Sequence, residues 1–168
     1  MGMIGNYTMI SDKVLEHIIK LEGEDLVEYI NEIEEDESIE LYCIDKLWDG
    51  LHFLLTGASA SEPIEEDKLS EAIVGVDVFE VDEDDGFVSC IEKGDIVDII
   101  HALEEVDITE ICAKANITDF HKNEIYPNIW QEEESQSLKE ELKSEFENLL
   151  DFYKKTLDKQ MNIIFSVF

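Results

Sequence analysis

Arginine is absent from this chain. Its only strong bases are twelve lysines, set against 43 aspartates and glutamates, for a formal net charge of −31 over 168 residues. Without a guanidinium the chain cannot grip phosphate or carboxylate through a bidentate fork, nor supply an arginine finger. It also lacks the basic surface that nucleic-acid phosphates require, which argues against nucleic acid as a ligand. A field of this sign attracts cations, so any partner is expected to be basic or metal-bearing, a basic protein first; the alternative is that the charge keeps the protein soluble and reflects its genome or habitat.

Proline and glycine are scarce, with two and eight copies. No linker or low-complexity tract divides the chain, and one domain over residues 1–168 is expected. The three cysteines, Cys43, Cys90 and Cys112, are far apart and odd in number, and none forms a CxxC. They read as small buried residues in a reducing compartment. No apolar run approaches the ~18 residues of a membrane span. Met1 to Ile10 has neither the basic start nor the long apolar run of a signal peptide. A cytoplasmic protein with no membrane contact is the expectation.

Catalytic motifs are missing too. There is no Gly-x-Ser-x-Gly, no glycine-rich phosphate loop and no His-x-x-x-His. His101 with Glu104 or Glu105 shares a helix face, as any histidine in an acidic helix does. Asp82 to Gly86 resembles a calcium loop but fails as one, because Gly86 at the sixth position puts Val81 where the first aspartate belongs. No cofactor and no metal site is expected.

Hydrophobic residues nevertheless make up 44% of the chain, which is enough for a sizeable core. Residues 3 to 10 predict a strand, and Ser11 caps a helix that Gly23 ends. A second helix is expected from Glu24 to Ile33, then a loop at Glu34 to Glu37 and a short extended piece around Ile39 to Ile44. Asp45 is placed as the cap of a helix that buries Trp48, Leu51, Leu54 and Leu55 and stops at Gly57. Asp67 to Val74 predicts a short helix ended by Gly75, and Phe87 to Ile91 a strand. Helices follow from Gly94 to Glu105 and from Asp107, where Asp107 and Glu110 have the form of a capping box. Residues 116 to 132 read as irregular. The longest helix, about Glu134 to Lys159, carries Leu138, Leu142, Phe146, Leu149, Tyr153 and Leu157 on one stripe. The apolar tail from Met161 to Phe168 predicts a final strand paired with the first. The fold class is α+β, mostly helical, with one small sheet holding the N- and C-terminal strands.

The run Leu47-Trp48-Asp49-Gly50-Leu51-His52-Phe53-Leu54-Leu55-Thr56-Gly57 resembles the signature of the YfbM-like family of small bacterial proteins. The opening Met1-Gly2-Met3, Ala72-Ile73-Val74-Gly75, Tyr126-Pro127-Asn128-Ile129-Trp130, and Phe146, Leu149, Phe152 and Tyr153 are similar to further family features. Glu92-Lys93-Gly94-Asp95 departs from the family's helix start. The resemblance implies an α+β fold and a bacterial, cytoplasmic setting, and it implies no activity.

Two functional readings remain. One is an interaction protein, in its sharpest form a decoy or immunity-type protein covering the cationic site of a basic partner such as a nuclease. The other is a small-molecule binder or hydrolase with a pocket around Trp48, His52, Tyr126 and Trp130. There His52, in line with Trp48 and Asp45, would act as a base or a ligand-orienting donor. The structural alternative packs His52 against Trp48 with a bond to a backbone carbonyl, and makes the aromatics core and loop anchors.

Overall fold

The last strand is the centre of the molecule. In the computed structural model, which describes residues 2–168 and so leaves Met1 outside, β5 (Asn162–Val167) is buried along its whole length. It pairs antiparallel with β1 (Gly5–Ile10) on one side and β4 (Phe87–Ile91) on the other. β2 (Leu41–Asp45) and β3 (Asp77–Val78) complete the five-stranded order β2-β1-β5-β4-β3. A strand covered on both faces has no polar side to spare, which is why the tail reads as nearly continuous apolar sequence.

Side chains alternate across this sheet. Tyr7, Met9, Ile91, Ile163, Phe165 and Val167 face one core, while Ile10, Val88, Cys90 and Ile164 face another. The smaller core is covered by α1 (Asp12–Ile18) and α2 (Gly23–Glu35) through Leu15, Ile18, Leu26, Ile30 and Ile33. The larger core is covered by α3 (Trp48–Thr56), α4 (Lys68–Val74), α5 (Lys93–Glu104), α6 (Ile108–Lys114), α7 (Ile117–Lys122) and α8 (Ser135–Asp158). The fold is therefore α+β and mostly helical, with both chain ends in one sheet. No helix among the described residues is long and apolar enough to cross a membrane.

Local expectations hold where a cap decides the boundary. Ser11 accepts from the Val14 amide, Gly57 takes φ 78°, and Asp67 accepts from the amides of Leu69 and Ser70. Asp107 accepts from the Glu110 amide, but Glu110 turns to Lys114 rather than back to its cap, so only half of the box forms.

Other boundaries need correction. α1 closes early through Lys20 N–H to His17 O and Leu21 N–H to Ile18 O, and Gly23 (φ 53°) opens α2 instead of ending α1. Ile19 consequently points to solvent. Asp45 caps nothing: it ends β2 at φ 55°, a left-handed turn that aspartate tolerates, and α3 starts after Leu47. The buried residues of α3 are Asp49, Gly50, Leu51 and His52, while Trp48, Leu54 and Leu55 are half-buried. The stretch 116–132 contains α7, whose cap Asn116 accepts from the Thr118 amide at 3.0 Å.

Glu34 belongs to α2 rather than to a loop. Its carboxylate lies over the smaller core, accepting from Asn6 Nδ2 (3.1 Å) and from the Ser166 hydroxyl. Burial pushes its carboxyl above the usual range, outweighing the two hydrogen bonds. A raised folded value means that the folded state binds more protons than the unfolded one. Stability therefore falls as pH rises from the unfolded value, about 4.3, through the folded value, and the full penalty is present at neutral pH. Glu34→Gln is expected to raise the melting temperature at pH 7 and to flatten its decline across that acid window. Scans at a series of pH values check this, and an unchanged slope contradicts it.

Candidate ligand-binding groove

Helix α4 is short and mostly buried, so its end groups need partners inside the protein. Three consecutive carbonyls at its C-terminus each accept from a buried hydroxyl. Tyr153 donates to Ala72 O (2.6 Å), Tyr7 to Ile73 O (2.7 Å) and Ser89 to Val74 O (2.6 Å). Burial raises both phenols well above their ordinary value, so both stay donors. Gly75 then turns the chain out at φ 84° and ψ 179°.

The loop from Ala58 to Glu66 is tied to α3 and α4 by three side chains. His52 is fully buried; its Nδ1–H donates to Ala58 O at 2.7 Å. That fixes the tautomer, so Nε2 accepts from the Ser70 hydroxyl at 2.8 Å. Ser70 Oγ in turn accepts from the Ile64 amide at 3.0 Å. Burial lowers the His52 pKa, which keeps the ring neutral. Asp49, 4% exposed, accepts from the Ser59 hydroxyl (3.0 Å) and the Ala60 amide (2.7 Å) through Oδ1, and from the Tyr126 amide (2.8 Å) through Oδ2.

These ties hold one wall of a groove whose other wall is the β3–β4 edge. An inner cavity of about 230 Å³ is lined by Trp48, Val74, Phe87, Phe165 and Val167. An outer one of about 590 Å³ is lined by Ile64, Ser70, Gly75 and Val78. Ala60, Ser61, Val74 and Phe87 line both, so the two adjoin. Met3, Ile64 and Val78, three of the few large apolar side chains left exposed, lie along the groove. Glu65, Glu66 and Glu71 line the outer part and Glu83 the inner. Lys68 is taken up by Glu71 at 2.6 Å.

Of the four residues singled out from sequence, only Trp48 lines this groove. Trp48 stacks on Tyr126 (ring centroids 5.3 Å), and the pair holds Met3: Trp48 Nε1–H donates to Met3 O at 3.2 Å, and Met3 N–H donates to the Tyr126 hydroxyl at 2.7 Å. Trp130 is core, its indole N–H on Ile125 O (2.8 Å) and its ring against Phe120 and Gly50. His52 is sealed under the loop and bonds a backbone carbonyl. Asp49, Ser70, Phe87 and Glu83 were not among the site residues singled out from sequence, although Asp49 stands in the family-like run, Phe87 opens the expected strand and Glu83 lies in the Asp82–Gly86 turn. The one signal was Asp49, an acid inside an otherwise apolar helix.

Cys90 and Cys112 are buried as expected, but Cys43, on the β2 edge strand, is exposed; partial desolvation raises all three thiols, and Cys90 is pushed up to about 12, far from a reactive thiolate. Among the described residues no three His, Cys, Asp or Glu side chains are grouped to hold a metal ion. A second acidic depression lies on α2, lined by Glu24, Glu28, Glu32 and Glu35 with Asp85.

Comparison with known proteins agrees with the fold. The chain is 31% identical over 158 residues to protein YfbM of Escherichia coli (strain K12), covering 94% of this chain and 93% of that one. The crystal structure of YfbM from Escherichia coli, described as a protein of unknown function, superposes with a TM-score of 0.81 at 28% identity, covering 99% of this chain and all of that one. A family model described as a domain of unknown function, DUF1877, matches residues 1–166, and the chain belongs to that family.

Proposed function

We propose that this protein is a cytoplasmic interaction domain that captures a basic protein partner, and that the groove beside α4 is its binding face. The observation that carries this reading is the combination of an apolar floor, exposed apolar lips at Met3, Ile64 and Val78, and a rim of Glu65, Glu66 and Glu83. A basic segment with one apolar side chain satisfies both parts. The apolar group fills a desolvated pocket and supplies most of the affinity, while the cations meet the rim and speed association. The backing by Tyr7, Tyr153, Ser89, His52 and Asp49 pre-forms the surface, so little ordering cost falls on binding. A decoy that covers the cationic site of a basic enzyme is the sharpest form of this reading, supported by the charge of −31.

A second reading, a small ligand in the same groove, is favoured by the apolar inner cavity beside Trp48. A hydrolase built on His52 would have no free ring nitrogen to offer a substrate, because Ala58 and Ser70 occupy both.

Fluorescence anisotropy with labelled lysine-rich peptides bearing a central leucine or phenylalanine tests the interaction reading. Raising NaCl from about 0.05 to 0.5 M is expected to weaken binding at least about tenfold, as rim charges are screened. The double change Glu65→Gln, Glu66→Gln should weaken it about threefold to tenfold at low salt. Affinity indifferent to both would contradict the proposal.

A further inference from the structure

We infer that the inner cavity is a site for a methylated ammonium group. Three aromatic side chains, Trp48, Phe87 and Phe165, line it together with the branched aliphatic side chains of Val74 and Val167. The π faces of such rings carry negative potential and attract cations, most strongly where water is excluded. Glu83 lines the same cavity, and the chain's overall field has the same sign. An anion is therefore repelled, and a neutral apolar ligand leaves both the carboxylate and the field unused.

The hydrogen-bond inventory selects among cations. The polar side chains lining the cavity are Ser61 and Glu83, and the rest of the lining is largely apolar. A guanidinium brings five N–H donors and a primary ammonium three, and Ser61 and Glu83 are the only side-chain oxygen acceptors among the described lining residues to meet them. A quaternary ammonium brings none. Its methyl groups pack against aromatic and aliphatic carbon while its charge is met by the aromatic lining and Glu83. The ligand class is therefore a trimethylammonium head. Under the proposed function its source is a methylated lysine of the basic partner, and the inference rests on that reading only for this source. A free choline-like compound carries the same head.

Trp48 supplies the signal for a test. Intrinsic tryptophan fluorescence is followed as choline is added, and in parallel as its neutral carbon isostere is added, with a tert-butyl group replacing the trimethylammonium. Choline is expected to give a saturable change in the millimolar range, and the isostere to bind at least about tenfold more weakly. Glu83→Gln, an exposed change that leaves the core untouched, should weaken choline binding about threefold to tenfold, and Phe87→Leu by a similar factor. Equal binding of choline and isostere, or no saturable change with either, would overturn the inference. A lysine-rich peptide bound tightly and salt-sensitively while choline fails would also overturn it, yet leave the interaction reading standing. Tighter binding of a trimethyllysine peptide than of its unmodified form supports the inference with the partner as source. Choline binding with no peptide binding supports the same chemistry and instead removes the interaction reading.

Discussion

Asp49→Ala is expected to lower the unfolding free energy by about 2–4 kcal/mol, roughly 1–2 for each of the two part-buried amides that lose a carboxylate acceptor. The Asp49 carboxylate accepts from Ala60 N–H, Tyr126 N–H and the Ser59 hydroxyl. Ser59 can fall back on Ser61, 2.9 Å away, so the cost is carried by the two amides. Both amides are part-buried, so one left without an acceptor recovers only part of its hydration. Asp49→Asn should be milder. Its amide oxygen still accepts at one position, while its NH₂ meets a donor at the other. Beyond global stability, the change should free both segments that Asp49 ties. Hydrogen exchange at Ala60 and Tyr126 is expected to speed up far more than at Leu51, and equal acceleration at all three would show that Asp49 acts only through overall stability.

Gly75→Ala is expected to cost a similar amount, about 3–5 kcal/mol, from two additive sources. At φ 84° and ψ 179° the backbone lies in a region that is essentially glycine's alone. A Cβ there would also fall on Ser89 Oγ and sit 2.8 Å from Ser89 Cβ. Ser89 cannot simply rotate away, because its hydroxyl satisfies Val74 O. Combining Gly75→Ala with Ser89→Gly separates the two terms. The double variant should recover the steric part and keep the conformational part, giving a non-additive cycle. Denaturant melts of the four proteins measure it. Strict additivity would mean that the clash with Ser89 is not where the cost arises.

Both expectations concern residues that connect distant parts of the chain, and such connections are where sequence reading stopped. The outline of the fold was legible because its signals are local and periodic. The α8 stripe from Leu138 to Tyr153 is buried as its spacing predicts, and the tail from Asn162 to Val167 is the strand its β-branched and aromatic content suggests. Gly57 and Asp67 end and begin helices for reasons visible within four residues. Asp45 and Gly23 were misplaced because glycine and aspartate serve several turn chemistries; the register of β1 against β2 decides it for Asp45, and the early close of α1 at Lys20 and Leu21 decides it for Gly23. α7 has six residues, too few for a helical period to declare itself. The groove was illegible for a further reason. Its lining comes from α3, α4, β4, β5 and the loop between α3 and α4, and no spacing rule brings Trp48 to Phe87 and Phe165. The stretch around Trp48 and His52 lies beside the groove. Its aromatic and imidazole groups mostly build the frame, leaving Trp48 at the groove itself.

Which surface meets a basic partner is decided most directly by amide chemical-shift mapping. A lysine-rich peptide with one central apolar residue is titrated into the isotope-labelled protein at low salt. The groove reading predicts that the largest shifts fall on Ser61, Glu65, Val78 and Phe87, with little movement at Glu28 and Glu32 on α2. Shifts concentrated on α2, or spread evenly over every carboxylate-bearing surface, would contradict it.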